Sequence, residues 1–589
     1  MKVESFLLEW YRTIGTMNAS NVGYKNSGTL TRNYYHACTV AGVANATGVG
    51  IGSESSKTTS DVDGARALYA ITLGTNVTID RTPATDPLPG TNNMTYDNGA
   101  DINGLAYAYA GATVTLGYSG NNIGYHVEYS TTAGTLEGNT LTMPSEDVTV
   151  SAVISVLYID ADGNVQYCTD FTVIKSSNHN VSYSGGWYLV TDDVTIKGNN
   201  DNHALQFEGD THLILCDGAS LTASLALQKV QRQRYMVKVN GHLTIYGQSE
   251  GTGTLTTSNT VSQSGSNDYH SEYHIRGIYS SGNMTINGGI VQASATDKDI
   301  SHGYSCGIKA DGDFIFNGGH VSATANNSYR IYGLYADGSI TLGWRSPSDR
   351  FYAKTYNKDV TIRDGQAFSN GQSVYSGTVN KNDLRAKTLQ PSVALAMNNA
   401  GIMTYASPYA LDLSNVNAYV VSDYNSGNST LTLTKATEAP ANTGLLLKAK
   451  DDGQKNTTIA LPLQESAEAV GENLLVGVTD GATIVHQTEG SYTNFILANG
   501  KYGIDWYTLS EAGTIGANKA YLQLPTAEVS SGRAFTWVYD DGTATKIERP
   551  TSDPSLYGGE WYTLNGVKLS GKPTTKGLYI HNGRKEVVR

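Results

Sequence analysis

The sequence has no run of apolar residues long enough to cross a membrane as a helix, so a helical span is excluded. It is also poor in cysteine: Cys38, Cys168, Cys216 and Cys306 are scattered over 589 residues. None has the Cys-x-x-Cys or Cys–His spacing of a zinc site, and four thiols so far apart do not make a disulfide framework. Cys216 and Cys306 read instead as small buried apolar groups. Charge is sparse, at 16% of residues. The 40 basic residues are outnumbered by 53 acidic ones, for a net charge of −13, and no basic patch stands out; Gln231-Arg-Gln-Arg234 is too short to count. That balance argues against nucleic acid as a partner. Sustained helical periodicity is missing as well. What is abundant is Gly (64) and Tyr (39), with Thr, Ser and Asn throughout. This is the composition of an all-β chain with many turns.

The middle of the chain repeats. An apolar–any–apolar signal returns at Val194-Thr-Ile196, Leu213-Ile-Leu215, Leu243-Thr-Ile245, Met284-Thr-Ile286, Phe314-Ile-Phe316, Ile340-Thr-Leu342 and Val360-Thr-Ile362, at intervals of about 20 to 40 residues. Another apolar residue precedes five of these strands by one short segment: Phe207, Val237, Ile278, Ile308 and Leu334. A third follows a turn: Leu221, Leu255, Val291 and Val321. Three short strands separated by Gly- and Asn-containing corners describe one coil of a right-handed parallel β-helix. One such coil cannot bury its apolar side, whereas stacked coils share a core. Stacking predicts an interior row of Leu243, Met284, Phe314 and Ile340, and a second of Ile245, Ile286, Phe316 and Leu342.

The flanks divide the rest. Residues 1–63 read as the end of a module whose start, with any export signal, is missing; Tyr34–Val40 is one strand of it. Residues 64–155 alternate apolar and polar in short strands. Ala112-Thr-Val-Thr-Leu116, Thr140-Leu-Thr-Met-Pro144 and Glu146-Asp-Val-Thr-Val-Ser-Ala152 resemble the small β-repeat modules of bacterial surface proteins, the internalin B-repeat type. That resemblance implies a spacer without chemistry. Residues 156–383 hold the coils. Trp187-Tyr-Leu-Val190, Leu213-Ile-Leu-Cys-Asp-Gly218, Leu243-Thr-Ile-Tyr-Gly-Gln-Ser249 and the two Asn-Gly-Gly coils resemble the parallel β-helix domains of secreted Bacteroidetes proteins, whose relatives are often described as carbohydrate-binding. Residues 384–545 carry longer alternating strands and are expected to form a β-sandwich. Residues 546–589 begin with the linker Glu548-Arg-Pro-Thr-Ser-Asp-Pro554. They end on Lys576-Gly-Leu-Tyr-Ile580 and Glu586-Val-Val-Arg589, which is similar to Bacteroidetes C-terminal sorting tails but short. The similarity implies export to an extracellular or outer-membrane surface location.

Chemistry is thin. A hydrolase or lyase on the coils needs converging carboxylates, with a base for a lyase. Stacking places Asp311 near Asp337, as a carboxylate pair or a calcium site; both precede Gly, which also makes them ordinary corner residues. Asp297-Lys-Asp299 is a second calcium candidate, and His270 with His274 pair only on a helix. The stronger candidate is aromatic. Tyr279 and Tyr335 fall at equivalent outward positions two coils apart with Lys309 between them; Arg276 and Tyr273 lie nearby. Tyr rings stack on sugars, and adjacent polar groups orient them; Tyr also packs on ordinary β surface. The expectation is a non-catalytic surface protein binding polysaccharide or glycoprotein glycan through the coil face, with no cofactor and calcium as the alternative. The rivals are a polysaccharide lyase or glycoside hydrolase on the coils, and a structural stalk.

Overall fold

The computed structural model describes residues 34–36, 66–79, 106–109, 111–120, 125–198, 202–225, 233–258, 260–261, 274–488, 491–501, 503–509, 511–529, 534–540, 561–563, 568–581 and 584–588. The chain is all-β. Its helical segments among these residues include the three-residue 3-10 turns Asp452–Gln454 and Thr526–Glu528. No described helix is long and apolar enough to cross a membrane. The chain divides into two compact units: Met1–Arg345 with Phe351–Thr361 and Asn380–Lys387, and Ser346–Arg350 with Ile362–Val379 and Thr388–Arg589.

The first unit begins with a small two-sheet module. Arg66–Leu73 pairs with Ala106–Tyr109 and Val148–Ile159; Val77–Ile79, Thr113–Tyr118, Thr140–Thr142 and Thr135–Glu137 form the other sheet. Ile71, Val77, Val114, Leu116, Leu141, Met143, Val148 and Val150 fill its core. Alternation supplied one inward residue in two along each strand, as half-buried strands require. Val148–Ile159 is one continuous strand through position 155. Its far end lays Tyr158 against Trp187 and Tyr246, with ring centroids 4.9 and 4.7 Å away.

From Thr172 onward the strands of this unit pair in parallel, each with its equivalent one repeat later. Leu243, Met284, Phe314 and Ile340 are direct cross-strand partners, as are Ile245, Ile286, Phe316 and Leu342. Both rows are buried to 1% exposure or less. Two further rows run Val237, Ile278, Ile308, Leu334 and Leu221, Leu255, Val291, Val321. Gly277 and Gly307 immediately precede Ile278 and Ile308 because the next strand crosses close by. A Cβ on Gly277 would lie 2.6 Å from the Gly307 carbonyl oxygen, and one on Gly307 2.7 Å from the Thr324 amide nitrogen.

The early repeats differ from expectation by two residues. Thr211, not Leu213, stands opposite Leu243, so Leu213 faces Ile245; correspondingly Leu205, not Phe207, faces Val237. Thr211 can occupy this inward place, at 1% exposure, because its hydroxyl donates to the Gly209 carbonyl at 3.0 Å. A two-residue shift keeps every side chain on its face, so alternation alone does not reveal it. Val194 is displaced further. It pairs with Leu221, and Gly186–Val190 takes the place opposite Thr211–Leu215.

One corner is built from side chains that reach the next repeat. Asp210 accepts the His242 amide (2.7 Å), His242 Nδ1 the Asn283 amide (2.9 Å), Asn283 the Asp313 amide (2.9 Å) and Asp313 the Ser339 amide (2.6 Å). Each acceptor satisfies a backbone donor that turning the chain leaves outside the strand pairing. Another corner stacks the buried amides of Asn287 and Asn317, joined at 2.7 Å. The thiols of Cys168, Cys216 and Cys306 are buried and unbridged. Burial pushes Cys216 and Cys306 up to about 12, which keeps them protonated at neutral pH.

In the second unit, Ile402–Tyr405, Leu445–Lys448, Asn417–Asn425, Thr430–Ala436 and Thr536–Tyr539 make one sheet; Leu475–Val478, Lys519–Pro525, Tyr492–Gly500, Gln487–Thr488 and Gly503–Thr508 make another. Val421, Leu431, Leu433, Leu446, Leu475, Phe495, Leu522 and Trp537 from both sheets meet in one apolar cluster. Near the C-terminus, Trp561–Tyr562, Lys568–Leu569, Gly577–His581 and Arg584–Val588 form a four-stranded antiparallel sheet. There the Trp561 ring stacks on His581 at 4.1 Å.

Candidate functional site

The parallel register of the strands Gln233–Val239, His274–Ser280, Ile290–Ala310 and His320–Ala336 gathers the predicted residues. One outward file runs Lys238, Tyr279, Lys309, Tyr335; the next runs Tyr235, Arg276, Cys306, Tyr332. Beyond these lie Gln233, His274, Tyr304 and Arg330. In-register neighbours in a parallel sheet stand about 4.8 Å apart, which is stacking distance for aromatic and guanidinium groups.

The contacts follow from that spacing. The Arg276 guanidinium lies 5.1 Å from the Tyr235 ring centre and 4.8 Å from that of Tyr279, and it donates to the Tyr235 hydroxyl at 2.7 Å. Lys309 Nζ sits 4.6 Å from the Tyr335 ring centre, and Tyr332 meets Tyr335 edge-on at 4.9 Å. Arg330 covers Tyr304 at 5.0 Å, and Tyr304 stacks on His274 at the same distance. Arg276, Tyr279, Lys309 and Tyr335 thus belong to one continuous patch. Tyr273 lies outside the described residues, as do the side chains of Asp297 and Asp299.

Lys309 differs from the outward, open residue the sequence suggested. It is 8% exposed. Its ammonium contacts Asp311 at 2.5 Å and Asp337 at 2.6 Å. The two Asp-Gly corners therefore converge, on the Lys309 ammonium. Tyr279 donates to the other oxygen of Asp311 at 2.6 Å. Burial pushes the Asp311 carboxyl up, yet the hydrogen bonds from Lys309 and Tyr279 and the charges of Lys309 and Arg276 outweigh it and hold the group below its ordinary range. Asp313, bonded by the Ser339 amide and hydroxyl, is likewise held low. A glycosidase acid needs the opposite shift, toward a carboxyl that keeps its proton at neutral pH. Burial raises Tyr235, Tyr279 and Tyr335, so these phenols stay neutral hydrogen-bonding groups.

No family model, curated protein or solved structure matches the chain. The patch is thus read from its own chemistry. Lys309 cross-links two corners and props Tyr335, so it positions the patch rather than offering itself to a ligand. The groups left at the surface include the partly exposed Lys238, Arg276, Tyr279, Tyr304, Tyr332 and Tyr335 and the exposed Arg330. Such a surface can stack on apolar ring faces and donate hydrogen bonds, while Asp311 and Asp313 are held in the charged form.

Tyr235 and Lys238 were missed by the sequence reading. The signal was present: Tyr235 stands one strand before Leu243, as Arg276 stands before Met284. A second stack was missed as well. Trp187, His212 and Tyr246 pile up at 4.2 and 5.3 Å from the Trp187 ring, with His212 Nδ1 3.0 Å from the Tyr246 hydroxyl. Burial lowers His212 despite Asp210 nearby, so it is a neutral stacking ring at pH 7.

Proposed function

We propose that the chain is a non-catalytic glycan-binding protein of the bacterial cell exterior, of the Bacteroidetes surface type its motifs resemble. On this reading the repeat region winds as a right-handed parallel β-helix, and the two sheets of the second unit form a β-sandwich. Four in-register rows of buried residues, the corner relay from Asp210 to Ser339 and the Asn287–Asn317 pair support the winding. The observation that carries the function is the outward patch itself: tyrosines alternate with cations along consecutive repeats, while Asp311 and Asp337 are committed to Lys309. Aromatic faces with adjacent hydrogen-bond donors are the usual means of holding sugar rings.

The test is binding of the full chain to an immobilised glycan panel, followed by incubation with the same polysaccharides and assay for reducing ends and unsaturated products. Saturable binding that Arg276→Ala with Tyr335→Ala abolishes, with no product release, is the expected outcome. Product release would establish a lyase or hydrolase instead. Failure to bind any glycan would leave a structural stalk.

A further inference from the structure

The coil patch is not evenly charged. At its later end Lys309 is neutralised by Asp311 and Asp337. At its earlier end, on the strands Gln233–Val239 and His274–Ser280, stand Lys238 and Arg276. Among the described residues neither of these two cations has an ion-pair partner.

Both rest on one support. Lys238 Nζ lies 5.6 Å from the Tyr235 ring centre, and the Arg276 guanidinium 5.1 Å from it. The register explains the meeting: Tyr235 stands opposite Arg276, and Lys238 opposite Tyr279, on strands about 4.8 Å apart. Tyr235 is 3% exposed, so its ring is a floor and not a face for a ligand. The two cations above it are half-buried and reach solvent. Contact with a ring orients a cation but does not neutralise it. Arg276 gives one donor to the Tyr235 hydroxyl, at 2.7 Å, and the rest of its planar fork has no acceptor among the described residues.

The carboxylates that feel these charges are satisfied by other donors. Glu208, near Lys238, accepts the side-chain amides of Asn240, at 2.7 Å, and of Gln206. Asp311, near Arg276, accepts Lys309 at 2.5 Å and Tyr279 at 2.6 Å. Two neighbouring cations with donors to spare form a place for an anion. The guanidinium fork takes a carboxylate or sulfate through paired hydrogen bonds, and the ammonium adds a point charge.

We infer that the glycan held by the coil face is acidic, and that its carboxylate or sulfate sits between Lys238 and Arg276. This inference rests on the coil-face reading and adds to it the charge of the ligand. The net charge of −13 repels an acidic polymer from the chain as a whole, so binding of one requires a local cationic site.

The experiment is calorimetric titration of the full chain with three hexasaccharides at low ionic strength, where charge pairing is least screened. These are chondroitin, chondroitin sulfate, and desulfated chondroitin with its carboxyls reduced to alcohols. An acidic hexamer is expected to bind and the neutral one not to; binding of chondroitin assigns the anion as carboxylate, and binding of the sulfated form alone assigns it as sulfate. Lys238→Gln, which leaves the bond between Arg276 and Tyr235 in place, should weaken binding about tenfold or more, as should Arg276→Gln, since a charge-assisted contact is worth at least that factor. Lys175→Gln, which removes an exposed charge elsewhere in the same unit, should bind like the parent. Equal binding of the neutral hexamer, no binding of either acidic one, parent-like binding by Lys238→Gln, or an equal loss in Lys175→Gln would each overturn the inference. Neutral glycans bound on the panel and lost in Arg276→Ala/Tyr335→Ala would then leave the coil-face reading standing; no glycan bound at all would remove both.

Discussion

Replacing Lys309 with Met tests the architecture of the coil patch. Methionine keeps most of the stem volume and removes the charge. Asp311 and Asp337, each within 2.6 Å of the ammonium, then face one another without a counter-charge. Removing one partner of a fully buried pair costs about 3–5 kcal/mol. Here the two carboxylate side chains are 36% and 52% exposed, so water screens part of the loss. An expected cost of about 1–3 kcal/mol follows. The pH dependence has a definite sign. Asp311 is held below its unfolded value, so its contribution is present above about pH 4 and is lost as pH falls through the lowered folded value. The gap between parent and variant should therefore be full at pH 7 and shrink toward pH 2. Hydrogen exchange at residues 308–310 reads it locally, which suits a chain of two units better than a global melt. Protection factors should drop roughly 5- to 150-fold at pH 7. An equal loss at both pH extremes, or none at pH 7, would show that the lysine is not what holds the corners together.

Four further substitutions probe the stack. Phe314→Asp places a charge at a site of 0% exposure between Met284 and Ile340, and should unfold the coils around it, seen as lost near-ultraviolet circular dichroism and proteolysis inside the repeat region. Asn287→Ala removes the acceptor of Asn317 Nδ2 and should cost about 1–3 kcal/mol in urea unfolding, whereas Asn283→Ala, at a solvent corner, should cost less. Asp313→Ala should raise exchange at the Ser339 amide at pH 7. Because Asp313 is also held low, that difference should vanish as pH falls through its folded value.

Much of the repeat was legible because its inward residues are large, apolar and locally spaced. Met284, Phe314 and Ile340 each begin a short strand after a Gly-containing corner, so their spacing fixes their register. The earlier coils were less legible for two reasons. In Leu213-Ile-Leu215 all three residues are apolar and all are buried, so the run carries no phase information, and Thr211 uses a hydroxyl bonded to its own corner to take an inward place. The patch was half legible. Tyr279, Lys309 and Tyr335 do stack in file, but Lys309 is paired with Asp311 in the corner after its own strand and Asp337 in that of the next repeat, which read singly as turn residues. The long-range contacts of the second unit were not legible. Lys448 and Tyr539 are about 90 residues apart in the chain and meet only through the sheet order, which strand patterns do not encode.

The most direct test of the coil-face reading is glycan-panel binding by the full chain beside the paired variant Arg276→Ala/Tyr335→Ala, with exchange protection at residues 308–310 monitored as a control for folding. The account predicts a defined subset of glycans bound by the parent, lost by the variant with protection retained, and no polysaccharide cleaved. Glycans bound equally by the folded variant, or cleaved by the parent, would contradict it.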